Sequence, residues 1–285
     1  MGPESSPIPF LLAELLTVRE AVGSVPSAGS PADVEERSFA RAESVRTAYS
    51  HGLVAVESAA DHLFALDSLI DGRQSALAPW TCARGLLEAS ALATWLLDPA
   101  IDAEERVGRS MAVRYETLRE QRKLAQEDDS GSLVAAIDRR VDEITTVASQ
   151  LGYPPINDRH GNRIGIGRPK PNITDLVTQQ LGARKIYRIL SGVAHCDPTT
   201  VSQLGFAPLE PSPSGGIVKR LAANPEAQGL LRAQALDVYA HAVWPQIVQY
   251  GADRAAAAVA LDKGYDACGL ANTESVRFWR RCERR

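Results

Sequence analysis

Trp80–Leu97 reads WTCARGLLEASALATWLL, and these eighteen residues decide the fold. They contain no proline and a single glycine, and leucine, alanine and tryptophan recur on nearly every side of a 3.6-residue turn. A helix apolar on nearly all sides is buried on nearly all sides. Asp98-Pro99 ends it, because the residue before a proline is pushed out of the helical region. A central buried helix needs other helices around it. Upstream, residues 34–70 hold no proline and only Gly52, with apolar positions that include Phe39, Val45, Leu53, Val56, Leu63, Phe64 and Leu66. As one straight helix this stretch would span roughly 55 Å. Asp33 is placed to cap it, with Glu35 and Glu36 in the favoured first turn.

Helical spacing also covers 10–22, 102–126, 132–151, 173–181 and 183–194, and then 225–263, where Pro245 predicts a kink near the middle. Two stretches break the pattern. Residues 152–172, GYPPINDRHGNRIGIGRPKPN, predict a small β-hairpin over 156–166 around His160-Gly161-Asn162. Residues 198–223 carry further prolines and read as irregular. The chain is therefore expected to be all-α, a helical bundle with long helices and irregular insertions near 152–172 and 198–223. Its organisation reads as an N-terminal helix and linker (1–32), a helical bundle domain (33–272) and a basic C-terminal tail (273–285).

Composition agrees. Of 285 residues, 45% are hydrophobic, enough for a sizeable core, and only 6% are aromatic, which suits closely packed helices better than a β-sandwich. A net charge of −4 and a pI near 5.8 give no overall attraction for nucleic acid, so any such contact needs a local basic patch. Cys82, Cys196, Cys268 and Cys282 are scattered, with no C-x-x-C pair or zinc spacing, and read as reduced thiols. There is no basic segment ahead of an apolar run at the N-terminus and no run of ~18 apolar residues. A cytoplasmic protein with no membrane contact is the expectation.

The stretch richest in chemistry is Arg184–His195, RKIYRILSGVAH. On a helix Tyr187, Ser191 and His195 fall at i, i+4 and i+8, and Arg188 lies seven residues before His195 on almost the same face. One stripe thus presents a phenol, a guanidinium, a hydroxyl and an imidazole, a set suited to acid–base work on an anion. His195 sits at the helix end, where the dipole and the following Asp197 favour an imidazolium. The plainer alternative is a helix cap with small residues for close packing. Arg84 and Glu88 form an i, i+4 pair on the most apolar helix; there they are either a structural ion pair or a device orienting His195 or Arg188. Glu57, Asp61 and His62 read as a solvated face. Arg159–Lys170, with Gly165-x-Gly167, could bring backbone N–H groups to an anion or be a solvated hairpin, and Arg277–Arg285 is a basic tail around Phe278 and Trp279. No metal-ligand set and no cofactor motif is present in the sequence.

Arg84-Gly-Leu-Leu-Glu88, the charged helix with Glu105-Arg106, and Tyr187-Arg-Ile-Leu-Ser191-Gly-Val-Ala-His195 resemble a group of bacterial helical proteins that is in turn similar to the HEPN domains. The likeness spans about 35–200. It implies a metal-independent ribonuclease or an RNA-associated defence protein in which Arg188 and His195, with six residues between them, are the catalytic pair near a helix end. It also implies a homodimer, because such sites form where two copies of the helix meet. Ile189 follows Arg188 here, where a polar residue is common. Two other functions remain open from the residues alone. One is a small-molecule enzyme with a pocket between 80–97 and 183–195 lined by Arg84, Glu88, Tyr187 and His195, with Ser191 as a further candidate binding residue. The other is a non-catalytic helical interaction protein.

Overall fold

The computed structural model describes residues 8–20, 25–72, 75–208 and 219–267. Regular structure there comprises eleven helices and two two-stranded antiparallel sheets, so the protein is all-α as expected. The helices are α1 (Ile8–Glu20), α2 (Pro31–Ser38), α3 (Ala42–Asp71), α4 (Ala78–Leu96), α5 (Ala103–Glu127), α6 (Gly131–Gln150), α7 (Ile173–Leu181), α8 (Arg184–Ala194), α9 (Pro198–Gly205), α10 (Pro225–Tyr250) and α11 (Arg254–Ala267). The strands are β1 (Pro155–Asn157), β2 (Arg163–Ile166), β3 (Phe206–Pro208) and β4 (Lys219–Leu221). No described helix is long and apolar enough to cross a membrane. The basic tail, with Cys268 and Cys282, lies outside the described residues.

The chain forms two compact units, one within 1–33, 52–97 and 173–285, the other made of 34–51 and 98–172. In the first, α4 packs on α7, α8 and α10 and buries Trp80, Leu86, Leu87, Ala91, Trp95 and Leu96. The expected kink at Pro245 is not where the last helical region divides. α10 runs through Pro245 and ends at Gly251, whose φ of +69° is the left-handed cap that glycine adopts without a Cβ clash. Pro245 has no N–H to give the carbonyl of His241 one turn back. The Thr94 hydroxyl of α4 donates to that oxygen at 2.8 Å.

Within 198–223 the described residues, 198–208 and 219–223, are likewise more regular than expected. Asp197 caps α9 by accepting from the Thr200 backbone N–H at 2.8 Å, Pro198 takes the first turn where its missing N–H does no harm, and β3 pairs with β4.

In the second unit, the single helix expected over 34–70 is two. α2 starts earlier, with Ser30 rather than Asp33 as its cap: the Ser30 Oγ accepts from the Asp33 N–H at 3.3 Å, and the Asp33 carboxylate reaches back to the Gly29 N–H at 2.6 Å. It stops at Ser38, whose hydroxyl competes for the Glu35 carbonyl at 3.3 Å. The chain then turns back. Tyr49 OH donates to Glu35 Oε2 at 3.0 Å, although fourteen residues of straight helix would hold their backbones about 21 Å apart. Arg106 explains the fold-back. Its guanidinium, wholly buried, grips Glu35 through Nε at 2.9 Å and Nη2 at 3.1 Å, donates to the carbonyls of Asp98 and Ile101, and lies 4.8 Å from the Tyr49 ring centre. A buried charge needs such full pairing.

The hairpin forms as expected. β1 and β2 are antiparallel, Ile156 opposite Gly165, and the Asp158 carboxylate holds the turn through the N–H groups of His160 and Asn162. It docks on α5 and α6: Tyr115 OH donates to Arg163 O at 3.1 Å, Arg163 to Thr145 Oγ1 at 2.9 Å, and Arg168 pairs with Glu105. Its glycines serve packing, because a Cβ on Gly165 would stand 2.6 Å from Arg168 O. The amides of Gly167 and Arg168 are already bonded to Pro154 O and Ile166 O. The anion cradle raised as one possibility for Gly165-x-Gly167 therefore lacks free donors at those two amides.

Candidate functional site

Four of the six residues singled out from sequence meet where α8 packs on α4 in the first unit. α8 ends in a tight turn: the Cys196 N–H bonds Val193 O at 3.0 Å and the Asp197 N–H bonds Gly192 O at 2.8 Å. This is the paired closure in which a residue just past the helix end adopts the left-handed conformation. That residue is Cys196, at φ +56°, where glycine is the usual choice. The turn leads directly into the Asp197 cap of α9, and Gly192 allows the close approach, since a Cβ there would stand 2.8 Å from Thr200 Oγ1. His195, at the C-cap, is thereby presented at the surface.

α4 brings the other half. Arg84 Nε donates to Glu88 Oε1 at 2.9 Å, and Tyr187 OH donates to the same oxygen at 2.9 Å. Arg84 Nη1 lies 3.3 Å from His195 Nε2, and its Cζ is 5.7 Å from the Tyr187 ring centre. A guanidinium has only donors, so in this contact Nε2 can serve only as the acceptor. A guanidinium beside the ring lends no support to the imidazolium expected from the helix end. Asp197, the other expected support for it, spends its carboxylate on Thr200 N–H and Oγ1, and these bonds hold its pKa low.

Burial pushes the Tyr187 phenol upward, and the bond to Glu88 adds to this, so it stays a donor. For Arg84, burial acts to lower the pKa, but the hydrogen bonds to Glu88 and Tyr187 and their Coulomb attraction outweigh it and the net shift is up. The Arg84 and Glu88 side chains are 24% and 34% exposed, Tyr187 is buried and His195 exposed, so the cluster is rooted in the core and opens to solvent.

Arg188 and Ser191 stand apart. Arg188 is exposed, and among the described residues it makes no hydrogen bond or ion pair; the Ser191 side chain is half-buried. Neighbouring Ile189 is 42% exposed. Sequence gave no sign that Cys196 would be strained; contact of Arg84 with His195 was one of the two roles left open for the Arg84–Glu88 pair. Among the described residues no group of three or more His, Cys, Asp or Glu side chains is placed to hold a metal ion. Of the described thiols, Cys82 is half-buried and pushed up by burial and by Asp61, and Cys196 is exposed.

No family model, curated protein or solved structure matches the chain. The geometry of α4 and α8 must carry the functional conclusion.

Proposed function

We propose that the α4–α8 cluster is a metal-independent ribonuclease site of the HEPN-like kind, with His195 as the general acid–base and Arg84 as the group that holds the scissile phosphate. The observation that carries this is the 3.3 Å contact between Arg84 Nη1 and His195 Nε2 at an exposed helix end. It puts an anion-binding fork and an imidazole side by side. The bonds to Glu88 and His195 use two of the five guanidinium N–H groups, which leaves donors for a phosphate. Glu88 and Tyr187 are positioning residues that hold the fork. In the reaction the phosphate takes Arg84 and frees Nε2. Nε2 accepts the 2′-hydroxyl proton, the 2′-oxygen attacks phosphorus, and the 5′-oxygen leaves with the proton returned by the imidazolium. The products are a 2′,3′-cyclic phosphate and a 5′-hydroxyl end. A homodimer belongs to this reading, with the exposed outer stripe of α8, including Arg188, facing a second copy or the RNA.

The test is cleavage of mixed-sequence single-stranded RNA in the presence of a chelator. Wild type should cleave, and His195→Ala should lose activity by about 10²–10⁴-fold, the range for a general acid–base. Failure of the wild type to cleave any RNA in such a panel sinks the proposal. Exposed Ile189 beside exposed Arg188 favours a second reading, a non-catalytic helical protein that binds a partner through α8. Partner binding that survives His195→Ala without RNA cleavage would select it.

A further inference from the structure

A second site lies in the other unit, among α3, α5 and α6. An inner void of about 40 Å³ is lined by Val107, Met111, Ile144 and Val147, with the hydroxyls of Ser44, Thr47 and Ser110. An outer open cavity of about 590 Å³ carries Arg41, Arg114 and Arg139 on its walls. Arg114, Ile144 and Val147 line both, so Arg114 belongs to the wall that the two cavities share. Arg114 is half-buried, yet among the described residues it makes no ion pair or hydrogen bond. This contrasts with Arg106, two turns earlier on α5, which is fully paired. A half-buried cation without a counter-charge is costly. Its field reaches His51, whose pKa is lowered by burial first and by Arg114 second, while His51 Nδ1 is bonded to Ser110 Oγ at 2.9 Å. The rim carboxylates, Glu43, Asp142 and Glu143, are exposed, and none is ion-paired with Arg114.

We infer that this is a binding site for a short-chain aliphatic carboxylate, its chain in the inner void and its carboxylate on Arg114. Size and polarity fix the class. At about 10–15 Å³ per water-sized group, the void holds roughly three such groups, the length of a propyl chain. Of the eight residues that line it four are apolar, three carry hydroxyls and one is Arg114, a mixed lining that suits a short aliphatic chain ending in an anion. A carboxylate matches the planar fork of a guanidinium in a bidentate pair. Nothing in this rests on the α4–α8 cluster.

The test is calorimetric titration of the full chain with sodium butanoate, with butylamine, octanoate and inorganic phosphate as comparison probes. Saturable butanoate binding at least tenfold tighter than each of the three is expected, because the protonated amine carries the opposite charge, octanoate exceeds the void and phosphate lacks the chain. Arg114→Met, which keeps the bulk, and Val147→Phe, which fills the void, should each weaken butanoate at least tenfold. The proposal is overturned if the wild type shows no saturable butanoate binding, if phosphate or butylamine binds as well, or if folded Arg114→Met binds as the wild type does. Should either variant fail to fold, the four-probe comparison on the wild type decides the matter alone.

Discussion

Arg106→Met tests whether one buried arginine holds α2 folded back upon α3. The side chain is fully buried, and it donates twice to Glu35, once to Asp98 O and once to Ile101 O, while stacking on Tyr49. Removing one partner of a buried pair leaves the other charge stranded, which typically costs about 3–5 kcal/mol. Glu35 is 16% exposed and keeps the Tyr49 hydroxyl, so water and that bond soften the penalty towards the lower end. Two carbonyls also lose a donor, each worth about 1 kcal/mol net. We expect a loss of about 5 kcal/mol, read from urea unfolding followed by far-UV circular dichroism. The double variant Arg106→Met/Glu35→Met removes both charges, and an apolar replacement of a buried pair is often neutral or better. It should therefore recover at least about 1 kcal/mol relative to Arg106→Met alone, a coupling of the size found between contacting residues. A loss below about 1 kcal/mol for the single variant, or strict additivity in the double, would refute the reasoning.

Three further outcomes are expected. Cys196→Gly should stabilise the fold by about 0.5–1 kcal/mol, since relief of a left-handed side chain, ~1–2 kcal/mol, outweighs the added freedom of glycine in the unfolded chain; chemical denaturation would show it, and destabilisation would contradict the strain at φ +56°. Arg188→Ala should weaken RNA binding and lower the salt slope by about 0.7, the single-strand value for one phosphate contact, with kcat little changed, whereas Arg84→Ala should lower kcat; equal effects on kcat would remove the distinction between the two arginines. His51, lowered by burial and then by Arg114, is neutral in the fold at pH 7 and binds its proton more readily when unfolded. Its contribution is therefore full above its unfolded pKa, 6.5, and declines as pH falls from there to the lowered folded value. Urea midpoints of wild type should drop over that window more than those of His51→Phe, and identical drops would show that His51 is not the group responsible.

What sequence made legible was local. α4, α5, α6, α7 and α8 follow from spacing and caps, as does the hairpin from its Asp158–Asn162 turn. The break after Ser38 was hidden because what enforces it, the grip of Arg106 on Glu35, joins residues 71 apart in the chain. The continuous α10 was hidden because a hydroxyl from α4 serves the carbonyl opposite Pro245. α9 was within reach: Asp197-Pro198 is a cap followed by a proline suited to a first turn, but eight residues leave too short a periodic pattern to read. The site divides in the same way. Arg84 with Glu88, and Tyr187 with His195, were each visible on one helix; their meeting was not, since it depends on how α4 packs against α8.

That division bears on why Arg84 and Arg188 differ within one chain. Seven residues of helix set the Arg188 and His195 backbones about 10.5 Å apart along the axis, whereas α4 crosses close enough for the Arg84 fork to touch the imidazole at 3.3 Å. Arg84 springs from the largely buried α4, where Glu88 accepts from its Nε and the Tyr187 ring centre lies 5.7 Å from its Cζ. Such restraint lowers the entropy lost when an anion is gripped, which is where a preorganised site gains over a flexible one. Arg188, exposed and unrestrained, would have to order its long side chain at the moment of binding. On the proposed ribonuclease reading, a phosphate at His195 would be held first by the residue that packing has already fixed, and Arg188 would serve a neighbouring phosphate or a second copy.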